Sequence, residues 1–230
     1  MTISDSLVQA IIFDMDGVLT DSEALINAAA VAMFRELGLE VRPEDFTPFI
    51  GTGENRYLGG VAEKYRFPIA IASAKKRTYE HYLRLVPRQL RAFPGARELV
   101  LSCRRVGLKT AVASSADSVK VHANLHQIGL PPDSWDAVIS GEMVEHRKPA
   151  PDLFLSAARR MGVTPERCTV VEDTAHGIQA ARAAGMRCVA VAQTFPAETL
   201  TDADVVRTAI SEVGIADLTP TLSPTPIGFL

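Results

Sequence analysis

Val8-Gln9-Ala10-Ile11-Ile12-Phe13-Asp14-Met15-Asp16-Gly17-Val18-Leu19-Thr20 is the stretch on which the reading of the fold turns. Residues 8–13 form a short, largely apolar run, the pattern of a strand buried on both faces. The run ends in Asp14. Side chains alternate along an extended chain, so Asp14 and Asp16, two apart, can point to one side. Ligands of open parallel sheets gather at the carboxyl ends of the strands, where both carboxylates would face the crevice. Gly17 permits a sharp departure and lets a ligand come close to backbone N–H groups. Asp-Gly is also a strong turn signal, so an ordinary tight turn is the competing reading.

Four later segments resemble the first strand: Lys109–Ala113, Ala137–Ile139, Thr169–Val171 and Arg187–Ala192. Helical patterns lie between them, over Ala96–Val106, Asp117–Ile128, Asp152–Met161 and Ala175–Ala184. Gly107, Gly129, Gly162 and Gly185 stand where helices end. Alternating strands and helices predict an α/β fold, a Rossmann-like parallel sheet with helices on both faces. From Asp21 to about Phe93 the rhythm breaks into helical periodicity without a convincing strand. Its longest pieces are Ala24–Leu37 and Ile69–Val86. The chain thus divides into a core (residues 1–20 and 95–217), a helical cap (21–94) and an irregular tail (218–230) rich in Thr and Pro. The cap carries net charge +2 and the rest −5 within the total of −3. A mildly basic lid over an acidic site suits an anionic substrate, and chance variation on solvated faces explains the difference equally well.

Composition narrows the function. With 47% hydrophobic and 22% charged residues over 230 positions, a globular fold with a sizeable core is expected. The net charge of −3 gives no bulk reason for nucleic-acid or membrane binding. No apolar stretch approaches the roughly 20 residues of a membrane span, and Met1–Val8 lacks the pattern of a signal peptide. Cys103, Cys168 and Cys188 form no CxxC pair, which argues against disulfides or zinc. They fit a reducing compartment, the cytoplasm or an organellar stroma. No heptad or exposed repeat suggests assembly, so a monomer is expected.

The remaining chemistry-bearing residues fall at the other strand ends. Ser114 and Ser115 follow the second strand and could hold a phosphoryl oxygen, or cap the next helix. Lys148, oriented by Pro149, follows the third and could neutralise both a phosphoryl group and Asp14, or sit in a solvated loop. Glu172 and Asp173 end the fourth. Adjacent acids there are costly unless paired or bound to a cation, and with Asp14 they make an oxygen site suited to Mg²⁺. Asp173 could alternatively cap the helix that follows. Each feature has an ordinary explanation alone, but four such features in one crevice supply a nucleophile, an acid/base, phosphate donors and metal ligands. Phosphoryl transfer requires that set.

In order and spacing, Asp14-Met15-Asp16-Gly17-Val18-Leu19, Ser114, Lys148-Pro149-Ala150-Pro151 and Glu172-Asp173 with Gly177-Ile178 resemble the haloacid dehalogenase superfamily through about residue 195. The resemblance implies Asp14 as nucleophile, Asp16 as acid/base, and Ser114 and Lys148 on the phosphoryl group. It also implies Mg²⁺ held by Asp14, the Asp16 carbonyl and Asp173, with Glu172 in support, and a cap after the first strand. Phe49-Ile50-Gly51-Thr52-Gly53-Glu54 and Gly59-Gly60-Val61-Ala62 are similar to the β-phosphoglucomutase-like branch. The closer likeness is to xylulose-1,5-bisphosphate phosphatases and to the phosphatase-like domain of a plant photoprotection protein. In the mutase pattern a His follows in the first cap helix, and Ile26 stands there; Glu54 stands for the mutase Arg, with Arg56 nearby. Glu54, Arg56, Lys76 and Arg77 are the cap's specificity candidates, and ordinary helix-surface charge is the competing reading. The expectation is a phosphatase of a small phosphorylated metabolite, a sugar phosphate or bisphosphate. The alternatives are a phosphomutase and a catalytically quiet interaction domain.

Overall fold

The computed structural model describes residues 8–220. Six parallel strands form one sheet in the order β5-β4-β1-β6-β7-β8. They are β1 (Ala10–Phe13), β4 (Lys109–Ala113), β5 (Ala137–Ile139), β6 (Cys168–Glu172), β7 (Arg187–Val191) and β8 (Val205–Arg207). The chain winds from β1 outward through β4 and β5, then returns to β6 and winds the other way. β1 therefore lies at the topological switch point, where open α/β sheets place their ligands.

Alternation along β1 feeds two cores. Ile11 and Phe13 pack with α4 (Ala96–Arg105) and α5 (Ser118–Gln127), whereas Ala10 and Ile12 pack with α6 (Asp152–Met161) and α7 (Ala175–Ala183). All four β1 residues are fully buried, as an apolar run covered on both faces must be. The four helix-ending glycines have φ between +65° and +80°, a conformation that L side chains resist.

Residues 23–89 fold as helices α1 (Glu23–Glu36), α2 (Glu54–Lys64) and α3 (Ile71–Gln89) around a separate core of Met33, Phe34, Phe46, Leu58 and Tyr82. They hang from a two-stranded antiparallel ribbon, β2 (Thr20–Asp21) with β3 (Arg91–Ala92). That ribbon corrects the expectation of no strand between 21 and 93. A ladder of two residues per strand leaves no periodic trace. β8 is likewise additional to the five expected strands: its residues are half-buried at the sheet edge. Leu218, expected in the tail, is fully buried at the end of α8 (Ile215–Leu218), and its carbonyl accepts from Thr169 Oγ1 at 2.8 Å. Residues 221–230 of that tail lie outside the described residues.

Candidate active site

β1 delivers Asp14 to the carboxyl edge of the sheet, between the ends of β4 and β6. One pocket there is lined by Asp14, Asp16, Ser114, Ser115, Lys148, Glu172 and Asp173, and on the insertion side by Glu54. All the strand-end candidates thus meet. Lys148, 7% exposed, donates to both Asp14 and Glu172. The second oxygen of Glu172 accepts from the backbone N–H groups of Asp173 and Thr174 at 2.8 Å each and from the Thr174 hydroxyl at 3.0 Å. Its carboxylate is therefore fixed, and it fixes Lys148. A Cβ on Gly177 would lie 1.9 Å from the Glu172 carboxyl carbon, so this glycine makes room for the Glu172 carboxylate. Thr174, not Asp173, caps α7, accepting from the Gly177 N–H at 3.0 Å.

Asp173 is left to the pocket. It is 2% exposed, and its Oδ1 is buried with no hydrogen-bond partner. Ligand oxygens of Asp14, Glu172 and Asp173 lie within 4.8 Å of one another. Three buried carboxylates face one ammonium. Burial pushes Asp14 up to about 7 against the pull of Lys148, and burial with the nearby Glu172 and Asp14 charges pushes Asp173 well up. A buried carboxylate oxygen without a donor, in a set of hard oxygen ligands with excess negative charge, fits Mg²⁺.

Asp16 lines the same pocket with its own partners. Its Oδ1 accepts from the Ser22 hydroxyl, and its Oδ2 lies 3.1 Å from Lys120 Nζ. Ser114 Oγ accepts from the Ala116 N–H at 3.1 Å, while Ser115 Oγ is buried without a partner. Glu54 opens α2 inside the pocket, 4% exposed, with Oε1 3.5 Å from Lys120 and Oε2 unpartnered. Arg56 is not brought in: it pairs with Glu63 at 2.8 Å over the Phe49 ring, on the exposed face of α2. Lys76 is exposed, and Arg77 bonds Glu36 and Glu80 on the surface. Arg147 reaches the Gly141 carbonyl and Asp117, each at 3.2 Å, and His146 is exposed.

Among the pocket residues that sequence reasoning did not single out, two carry charge, Glu23 and Lys120. Glu23, in the first turn of α1, lines the pocket and accepts from the Tyr57 hydroxyl at 3.0 Å. Lys120, in α5, is 4% exposed. Its signal was present: Lys120, Val121, Asn124 and Leu125 share one helical face, which is the buried one. Burial alone would lower the Lys120 ammonium, but Asp16 and Glu54 outweigh it and hold Lys120 well above its usual value. Burial pushes Glu54 and Glu23 upward. Among the described residues Glu23 and Glu54 are the charged residues of the insertion that line the pocket, and none of its Lys or Arg does, so its net positive charge does not lie on the pocket wall. The three cysteines are buried and free, and burial raises their thiols.

The class defined by these features is an α/β enzyme whose cation-ready acidic crevice sits at the switch point of a parallel sheet, beside a helical insertion. The chain belongs to the haloacid dehalogenase-like hydrolase family, which it matches over residues 8–185. It is 48% identical over 216 residues to the chloroplastic protein SUPPRESSOR OF QUENCHING 1 of Arabidopsis thaliana. That match covers 92% of this chain but only 20% of the plant protein. It is 31% identical over 218 residues to hexitol phosphatase B of Escherichia coli K12, covering 92% of this chain and 96% of that one. A solved structure of a CbbY variant from Rhodobacter sphaeroides, in complex with xylulose-1,5-bisphosphate, superposes with TM-score 0.83 at 29% identity, covering 92% and 99% of the two chains.

Proposed function

We propose that this chain is a Mg²⁺-dependent phosphatase of a small phosphorylated metabolite, a sugar phosphate or bisphosphate, acting through an aspartyl-phosphate at Asp14. The observation that carries the reading is the convergence of Asp14, Lys148, Glu172 and the unpartnered Asp173 oxygen at the end of the central strands. The phosphatase and sugar-phosphate names of the relatives support it.

Asp14 and Asp173 would hold the metal, with the Asp16 carbonyl completing the protein ligands and Glu172 in support. When bound, Mg²⁺ supplies charge neutralisation that lets an anionic phosphoryl group enter an acidic crevice. Lys148, anchored by Glu172, exchanges its contact with Asp14 for one with the phosphoryl oxygens. Ser114 and Ser115 offer hydroxyl and backbone donors opposite. Asp14 attacks phosphorus as the ester oxygen leaves, and Asp16 gives that oxygen its proton. Asp16, now a carboxylate, takes a proton from the water that cleaves the aspartyl-phosphate and frees Asp14. Ser22 and Lys120 hold Asp16 until the substrate arrives.

The helical insertion acts as the cap. Ile26, buried and lining the pocket, offers no proton-transferring group where the mutase pattern has His, which favours hydrolysis over phosphomutase activity. Among the described residues no helix is long and apolar enough to cross a membrane. We place the chain as a monomer in a reducing compartment, the cytoplasm or an organellar stroma, with a small metabolite and no nucleic acid as its partner. Phosphate release across a panel of sugar phosphates tests the reading. Release that disappears with chelator and returns with Mg²⁺ is expected; release indifferent to chelation contradicts it.

A further inference from the structure

The half of the pocket beneath the helical insertion is acidic. Glu54 Oε2 is buried there without a partner, and Glu23 stands nearby with the Tyr57 hydroxyl on its Oε1. Among the described residues no Lys or Arg of the insertion lines the pocket. The cation on this side is Lys120, from the core, and it is already shared between Asp16 at 3.1 Å and Glu54 at 3.5 Å. Ile26 and Ile50 supply apolar wall.

We propose that this half of the pocket receives a neutral, hydroxyl-bearing end of a phosphate monoester, with Glu54 Oε2 accepting a hydroxyl, and that it rejects a second phosphate. The inference rests on the phosphatase reading and narrows its substrate from sugar phosphate or bisphosphate to monophosphate. A buried carboxylate oxygen without a donor is costly, and a ligand hydroxyl removes that cost. A phosphate dianion in the same place would meet two carboxylates and one ammonium that is already spoken for; like-charge contacts across an interface are strongly unfavourable. A ligand ammonium is also disfavoured, because Lys120 lies against the other oxygen of the same carboxylate. The apolar wall suits the C–H faces of a polyol.

The test compares kcat/KM with Mg²⁺ for matched substrates: a pentose or hexitol monophosphate, the corresponding bisphosphate, and an amino-sugar monophosphate. p-Nitrophenyl phosphate, which has no hydroxyls at its far end, serves as reference. Wild type is expected to favour the hydroxylated monophosphate over both others by at least about tenfold. Glu54→Gln, checked for an unchanged fold by melting and circular dichroism, should shrink the discrimination against the bisphosphate, chiefly through KM. Glu54→Lys should reverse it. Equal or better use of the bisphosphate by wild type overturns the proposal, as does preference for the amino sugar or a ratio unmoved by both variants. If p-nitrophenyl phosphate is cleaved while no monophosphate is preferred, the narrowing fails and the phosphatase stands. If nothing in the set is cleaved, the phosphatase reading falls and the narrowing with it.

Discussion

At Gly17 a Cβ would lie 1.9 Å from Asp173 Oδ2 and 2.5 Å from Thr194 Oγ1, and φ is +82°. Gly17 is thus what lets Asp173 reach the pocket. Gly17→Ala should leave the sheet folded but displace Asp173, weakening apparent Mg²⁺ affinity in a phosphate-release titration by about 10–100-fold. An unchanged Mg²⁺ titration would show that Asp173 does not hold the metal. At this scale the sequence was informative where chemistry coincides with strand ends. Asp14, Ser114, Lys148, Glu172 and Asp173 meet because each follows a buried strand or its connecting loop. It was uninformative where burial is set by tertiary contact. Glu23 and Lys120 look like ordinary helix charges until the insertion packs over α5, and Arg56 looks like a pocket residue until the turn of α2 carries it outward.

Elements were legible in proportion to their regularity. β4, β5 and α6 match their expected bounds, because an apolar run or an amphipathic period fixes each. β8 and the β2–β3 ribbon were not legible, since their two or three residues acquire strand geometry only by pairing with distant chain. A local device in the insertion makes a test. Asp45, 6% exposed, sits in the 3₁₀ turn over Pro43–Phe49 and accepts from Lys64, from the Tyr65 hydroxyl and from the Arg42 N–H. Burial would raise its carboxyl, but these donors outweigh it and bring it from 3.8 to about 2. A carboxyl lowered by folding stabilises above its unfolded value, and that contribution fades as pH falls from 3.8 toward about 2. Asp45→Asn should cost about 2 kcal/mol at neutral pH, and its melting deficit should narrow across that acid window. A deficit that is constant with pH would mean that the carboxylate charge plays no part.

Across the whole molecule, the insertion docks on the core through α3 and α5. The Tyr82 hydroxyl donates to Asn124 at 2.7 Å, and Asp117 takes Lys75 from α3 and Arg147 from the core. The Asp117 N–H also donates to the Tyr79 hydroxyl at 3.3 Å. In this arrangement Glu54 of the insertion meets Lys120 of α5, which also contacts Asp16 within the core. Asp117→Asn should weaken docking by about 2 kcal/mol. The expected results are faster proteolysis at the connections near residues 21 and 90 and a lower kcat/KM. Unaltered proteolysis with normal kcat/KM would show that this ion pair does not hold the insertion. That helices rather than buried strands fill residues 23–89 could be read from where alternation of strands and helices stops. How those helices meet the sheet-bearing part could not, because the contacting residues, Lys75, Tyr79, Tyr82, Asp117 and Asn124, are polar or amphipathic and hydropathy does not mark them as an interface.

The central claim is that Asp14 is the nucleophile. The most direct measurement is acid quench during turnover of a sugar phosphate with Mg²⁺, followed by digestion and mass spectrometry of the peptide spanning residues 8–20. The account predicts a hydroxylamine-labile phosphoryl group on Asp14, absent from Asp14→Asn, with turnover in that variant reduced by at least about 10³-fold. A phosphoryl group on another residue, or substantial turnover by Asp14→Asn, would contradict it.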